Sequence, residues 1–193
     1  MVEKLGMPDA EVYFYAEFFT PAESDALFAD LSASIAWEQR AITIMGKQIM
    51  QPRLIAWYGD EGTTYRYSGL TVHPNPWTPT LLTIRQRLQT VSSASFNSVL
   101  LNLYRDGNDS VGWHSDDEPE LGTNPVIASL TLGAARAFQF RHRTNRDLRV
   151  NLELTHGSLL IMAGATQHHW HHQVPKTRKP LPPRINLTFR VIH

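Results

Sequence analysis

Cysteine is absent from this 193-residue chain, which excludes disulfides, thiolate metal sites and cysteine nucleophiles and is compatible with a reducing compartment. Net charge is lacking too. Eighteen Lys and Arg balance eighteen Asp and Glu, so no global field steers the molecule onto a polyanion, and any nucleic-acid contact must be local. No apolar run reaches the roughly 18 residues of a membrane helix, and the stretch from Met1 to Asp9 has no signal-peptide core. Internal repeats and low-complexity tracts are also missing. These absences lead to the expectation of a soluble, cytoplasmic (intracellular) protein with no membrane partner. Nothing calls for an obligate dimer, so a monomer is expected, with 1–193 forming one domain at 42% apolar content.

What is present is a chain that changes character along its length. Thr20-Pro21-Ala22-Glu23 combines a capping residue, a first-turn proline and a reciprocal glutamate, a helix start followed by Leu27, Leu31 and Ile35 at helical spacing. Thr78-Pro79 opens a second helix with Leu81, Ile84 and Leu88 on one face. Between them, "ITIMGKQIMQPRLIAWYGD" predicts a hairpin with Met45-Gly46-Lys47 near its tip. From Ser98 the pattern becomes short β-rich runs separated by turns, predicting a mainly β fold with flanking helices, a sandwich or jelly roll, whose core occupies roughly 96–193. The helices and hairpins fill roughly 1–95.

Two constellations carry chemistry. "WHSDDE", Trp113 to Glu118, puts one histidine beside three carboxylates, with Arg105 and Arg136 as the closest cations in sequence. His114 and Asp116, two apart, project to one side of an extended segment and suit a metal ion. Nitrogen and oxygen donors without sulfur suit iron, manganese or zinc, and two histidines with one carboxylate mark non-haem Fe(II) oxygenases. The third ligand must come from "QHHWHHQVP", where strand alternation separates His168 and His172 from His169 and His171. The second constellation is "RINLTFR", which places Arg184, Asn186, Thr188 and Arg190 on one face. Either this is the solvent side of an amphipathic strand, or it is an interior face whose arginines await an anion such as a dicarboxylate. Asn102 and Tyr104 of "LLNLY" share a face and offer neutral donors.

"WHSDDE", "ASLTLGAARAFQFRHR", "HGSLLIMAGATQHHWHHQVP" and "PPRINLTFR", with "LNLYRDG" and "TTYRYSGL" upstream, together resemble the AlkB family of Fe(II)- and 2-oxoglutarate-dependent nucleic-acid dealkylases, closest to its animal-type DNA-repair branch. The resemblance covers roughly Ala41 to Val191. It implies a double-stranded β-helix (jelly roll) core with an N-terminal nucleotide-recognition lid, and oxidative demethylation of 1-methyladenine and 3-methylcytosine in DNA, or RNA, using Fe(II), O2 and 2-oxoglutarate. It further implies His114, Asp116 and His172 as iron ligands, with His171 as the fallback. Asn102 and Tyr104 would bind 2-oxoglutarate, Arg190 would pair with its distal carboxylate, and Arg184, Asn186 and Thr188 would complete that wall. Tyr65 and Tyr67 match base-stacking positions. Glu118 would reach the exocyclic amine of the flipped base, and Asp117 would anchor the pocket through Arg53. Met45 stands where duplex-active relatives carry an aromatic wedge.

Core packing is the competing role for each tyrosine, and a solvated loop position the competing role for each acid. Arg136, Arg141, Arg143, Arg146 and Arg149 suit either phosphate contacts or an exposed hairpin face. Two other functions stay open: an oxygenase of a protein or small molecule, and a zinc-bound binding module without catalysis.

Overall fold

The computed structural model describes residues 2–44, 47–67 and 70–193, and for 42–44, 47, 65–67 and 70–72 the backbone alone. Met45 lies outside the described residues, as do the side chains of Tyr65 and Tyr67.

Both helix starts form as the capping residues dictate. Helix α1 (Pro21–Ser34) is closed by a capping box, with Thr20 Oγ1 accepting from Glu23 N–H at 3.3 Å and Glu23 Oε2 accepting from Thr20 N–H at 2.8 Å. Helix α2 (Pro79–Leu88) is capped by Thr78 Oγ1, which accepts from Leu81 N–H at 3.3 Å.

The strands in chain order are β1 (Val2–Lys4), β2 (Glu11–Tyr15), β3 (Ala41–Ile44), β4 (Lys47–Met50), β5 (Leu54–Gly59), β6 (Tyr65–Tyr67), β7 (Leu70–Val72) and β8 (Ser98–Tyr104). They continue with β9 (Val111–His114), β10 (Ile127–Gly133), β11 (Arg136–His142), β12 (Arg149–Leu154), β13 (Leu159–Ala163), β14 (Trp170–Val174) and β15 (Arg184–Arg190). A one-turn helix, α3 (Thr166–His169), precedes β14. Seven strands form one sheet in the order β1-β2-β13-β10-β15-β8-β5, and four form a second in the order β12-β11-β14-β9. Pairs β3-β4 and β6-β7 make separate hairpins.

Alternation divides the large sheet into two differently buried faces. Ala128, Leu130, Leu132, Ile185, Leu187, Phe189, Val99 and Leu101 pack under Leu31 of α1 and Leu81, Ile84 and Leu88 of α2. On the opposite face Ile127, Leu160, Met162 and Tyr104 meet Phe138, Phe140, Trp170 and Val174 of the small sheet. The two cores together bury β15 on both sides. The reading of "RINLTFR" as a solvent-facing amphipathic strand is therefore excluded: Arg184, Asn186 and Thr188 point into the space between the sheets.

The histidine tract departs from its expected strand pattern. Residues 166–169 form α3, and the strand begins only at Trp170. Alternation thus separates His171 from His172, while His168 and His169 follow helical geometry.

Candidate active site

β9 ends at His114, and Asp116 follows in an irregular turn. β14 pairs with β9 so that His172 stands opposite His114. The ligand atoms of His114, Asp116 and His172 all lie within 4.8 Å of one another. His171 faces the other way and pairs in register with Arg141, so the cluster takes His172. His114 Nδ1 is 2.8 Å from the Gly112 carbonyl oxygen. A carbonyl only accepts, so Nδ1 carries a proton, which leaves Nε2, 3.9 Å from Asp116 Oδ1, as the ring atom that can serve a metal.

Electrostatics prepare two of these three side chains. Burial, reinforced by His114, pushes His172 down to about 3, which keeps it neutral with a lone pair to give. Burial alone would raise Asp116, but Arg190, His172 and His114 beside it bring its carboxyl down to about 2. The cation that "WHSDDE" lacks nearby is Arg190, whose Nη2 donates to Asp116 Oδ1 at 2.9 Å. Two imidazoles and one carboxylate fit a divalent first-row cation, Fe(II) in particular.

A narrow cavity of about 60 Å³ runs from this cluster between the sheets, its wall including Asn102, Tyr104, Arg184, Asn186, Thr188 and Arg190. In register, Arg184 stands opposite Tyr104 and Asn186 opposite Asn102. Arg184 is 1% exposed; its Nη2 donates to Thr131 Oγ1 at 2.8 Å and its guanidinium lies 5.0 Å from the centre of the Tyr104 ring. Its Nε and Nη1 are buried without partners. Burial pushes its guanidinium down to about 10, so it stays charged at neutral pH. A buried cation with idle donors calls for an anion that the protein does not supply. Asn186 is more committed: its Nδ2 donates to Ser129 Oγ and the Leu130 carbonyl, and its Oδ1 accepts from Thr188 Oγ1.

A second, open cavity of about 570 Å³ meets the first at His114, Asp116, Arg190 and Arg53. Its walls are largely apolar and include Ile49, Met50, Trp57, Leu100 and Leu121, with Glu118 and Arg40 among the few charged groups. Sequence reasoning missed Trp57 and Leu121, whose apolar character looked like ordinary core.

The matching model spans residues 11–190 and describes the 2OG-Fe(II) oxygenase superfamily. "Alpha-ketoglutarate-dependent dioxygenase alkB homolog 3" of Mus musculus is 46% identical over 193 aligned residues, which cover 95% of this chain and 67% of that one. The chain is an AlkB-type 2OG-Fe(II) oxygenase. "DNA oxidative demethylase ALKBH2" of Bos taurus is 44% identical over 92% of this chain and 68% of its own length. The present chain thus spans about two thirds of the length of these two relatives. A solved structure of OsALKBH1 superposes with a TM-score of 0.65 at 18% identity, covering 99% of this chain and 100% of that one, which confirms the jelly-roll fold. Membership in the superfamily brings Fe(II), 2-oxoglutarate and O2, and excludes a purely structural zinc module as the family's chemistry.

Several expected contacts in this AlkB-type site are rearranged. Asp117 does not pair with Arg53; it accepts from Arg143 Nη1 at 3.1 Å, because the turn after β9 runs alongside the end of β11. Arg53 instead donates Nε to Asn102 Oδ1 at 2.6 Å and Nη1 to the Ser110 carbonyl at 3.2 Å. Arg136 leaves the basic cluster altogether. It is 3% exposed and bonded to the carbonyls of Asp106, Asp109 and Pro175. Arg141 stays on the outer face, its guanidinium 4.4 Å from the Trp113 ring.

A second trio, Asp9, His142 and His169, also comes within 4.8 Å. It is not a metal centre. His142 Nδ1 accepts from the backbone N–H groups of Asn145 at 3.1 Å and Thr144 at 3.4 Å, which puts its proton on Nε2, the atom facing Asp9 at 3.7 Å.

Proposed function

We propose that this AlkB-type oxygenase oxidatively removes alkyl groups from base nitrogens such as 1-methyladenine and 3-methylcytosine in DNA, and in RNA. The observation that carries the reading is the meeting of two unlike cavities at one metal cluster: a narrow polar one ending in Arg184 and an open apolar one of about 570 Å³. The first suits a dicarboxylate and the second a flipped base. The relative named a DNA oxidative demethylase supports the substrate class.

His114, Asp116 and His172 would hold the iron, and with 2-oxoglutarate and O2 that group would supply hydroxylation of an N-methyl carbon, with succinate and CO2 as co-products. A carbon bearing both hydroxyl and base nitrogen then collapses to formaldehyde and the unmodified base. Arg190 was expected at the distal carboxylate, but its engagement with Asp116 puts it instead at the metal end of the cosubstrate. Arg184, with Tyr104 opposite, takes the distal carboxylate. Arg53, by occupying Asn102 Oδ1, turns the amide so that Nδ2 is the donor left for cosubstrate. Tyr65 and Tyr67 are assigned to stacking the base, Glu118 to reading it, Asp117 and Arg53 to supporting the rim, and Met45 to the wedge position. We further assign one domain over 1–193, monomeric and cytoplasmic, with the hairpins β3-β4 and β6-β7 as recognition lid, because β1, β2 and β5, although they fall within the 1–95 expected to hold only helices and hairpins, belong to the large sheet.

Among the described residues no helix is long and apolar enough to cross a membrane. The test offers 1-methyladenine and 3-methylcytosine oligonucleotides, single- and double-stranded, with Fe(II), ascorbate, 2-oxoglutarate and oxygen, and follows methyl loss by mass spectrometry. Loss of the methyl mass is expected. Succinate formation with no methyl loss on any oligonucleotide would discard nucleic acid as the substrate.

A further inference from the structure

Asp116 is a ligand on irregular backbone. β9 stops at His114, so no ladder bond fixes residue 116, although its side chain must hold position to within fractions of an ångström. Asp116 is 4% exposed, and a main-chain N–H in such a place needs an acceptor. That acceptor is a side chain from elsewhere in the chain: Gln167 Oε1, at 3.0 Å. Since the main-chain group can only donate, the amide orientation of Gln167 is determined.

We infer that Gln167 is a positioning residue of the metal centre, holding the Asp116 ligand to the element that delivers His172. This rests on the reading that His114, Asp116 and His172 take a metal. Gln167 is 0% exposed and sits in α3, which runs directly into β14. Its Nε2 reaches only Met162 Sδ, at 3.6 Å, so Asp116 N–H is its one strong partner. α3 is itself tied down. Thr166 Oγ1 donates to the Ala163 carbonyl at 2.5 Å and accepts from Glu11 N–H at 3.0 Å. A second bond runs the same way, from Ser115 Oγ to the Trp170 carbonyl at 3.1 Å. The carboxylate of Asp116 is thus held by Arg190 and its backbone by Gln167, and the separation between the Asp116 and His172 donor atoms is set through a buried amide.

The test reads metal affinity, which a merely packed side chain would not move. Metal-free protein is titrated with Mn(II), following free Mn(II) by electron paramagnetic resonance, alongside thermal melting without metal. Gln167→Met fills the same length without a comparable acceptor, and its dissociation constant is expected to rise ten- to a hundredfold. Gln167→Glu keeps the acceptor oxygen and is expected to bind no weaker than threefold below wild type. A Met variant that binds Mn(II) as wild type does, or a Glu variant that loses as much as Met, overturns the inference. Should Gln167→Met not fold, amide exchange in the wild type carries the test. The Asp116 N–H is expected to be protected in the metal-free protein, and free exchange there overturns the inference. A wild type that takes up no Mn(II) at all while its Asp116 amide is protected would sink the metal reading separately.

Discussion

Arg190 Nη2 donates to Asp116 Oδ1 across 2.9 Å and 74 residues of sequence. The pair joins the end of the central strand β15 to the candidate metal cluster, so the same guanidinium orients a carboxylate of that cluster and borders both cavities. Its removal leaves a buried carboxylate without its main cation. That raises the carboxyl's proton affinity and makes proton and metal compete for it.

Arg190→Met is therefore expected to weaken Mn(II) binding about ten- to a hundredfold, with a matching fall in succinate formation at limiting Fe(II). Arg190→Lys keeps the charge but not the planar fork, and falls between the two. Mn(II) titration and succinate assays on the same preparations check this. Unchanged metal affinity in Arg190→Met would mean the ion pair does not govern the ligand.

Arg184 makes a prediction with opposite signs in two measurements. Its Nε and Nη1 are buried without hydrogen-bond partners, so its charge is compensated only by Thr131 and the Tyr104 ring. Arg184→Met should leave melting of the metal-free, cosubstrate-free protein unchanged or raise it, because replacing a poorly compensated buried charge by an apolar side chain of similar volume is often neutral or stabilising. Binding of 2-oxoglutarate should weaken by about 2–5 kcal/mol, the usual loss when one partner of a buried charge pair is deleted. Calorimetric titration of cosubstrate beside melting of the free protein tests both. A variant that melts lower yet binds 2-oxoglutarate normally would make Arg184 structural.

What could be read in advance followed from local rules. Thr20-Pro21-Ala22-Glu23 and Thr78-Pro79 announced both helices because capping is a matter of neighbours. The polar column Arg184, Asn186, Thr188, Arg190 was visible by alternation alone, but its burial was not, since that depends on a second sheet closing over it. Long-range pairs were out of reach. Asp117 was matched with Arg53 and met Arg143, because the packing of the turn after β9 against β11 leaves no trace in either segment. Gln167 gives no signal of its own, because alternation reads "QHHWHHQVP" as strand throughout, whereas residues 166–169 form a helical turn.

His171 and His172 are adjacent, and strand geometry alone decides between them. His172 is buried opposite His114, while His171 lies beside Arg141 on the outer face. His172→Ala is expected to abolish Mn(II) binding and succinate formation, and His171→Ala to keep metal affinity within about threefold, since an outward residue of the sheet leaves the ligand set intact. Equal losses in the two variants would contradict the register of β14 against β9.

Glu118 is the carboxylate best placed to distinguish a charged lesion from a neutral one. It lines the open cavity two residues beyond Asp116, whereas Asp117 pairs with Arg143 on an exposed rim, at 42% and 39% side-chain exposure. A pair that exposed contributes about 0–1 kcal/mol, so Asp117→Asn should barely move stability. Glu118→Gln removes a charge at the cavity wall while preserving shape and hydrogen-bonding oxygen. Methylation at adenine N1 or cytosine N3 leaves the base cationic, whereas a cyclic adduct bridging adenine N1 and N6 is largely uncharged at neutral pH. The ratio of kcat/KM for the cationic lesion over the neutral adduct is expected to fall about tenfold in Glu118→Gln, equivalent to about 1.4 kcal/mol of lost charge recognition. Competition between the two lesions in one oligonucleotide mixture measures that ratio directly. If both rates drop together, Glu118 acts on the base through shape or hydrogen bonding, and the preference for a cation must come from the apolar walls and stacking instead.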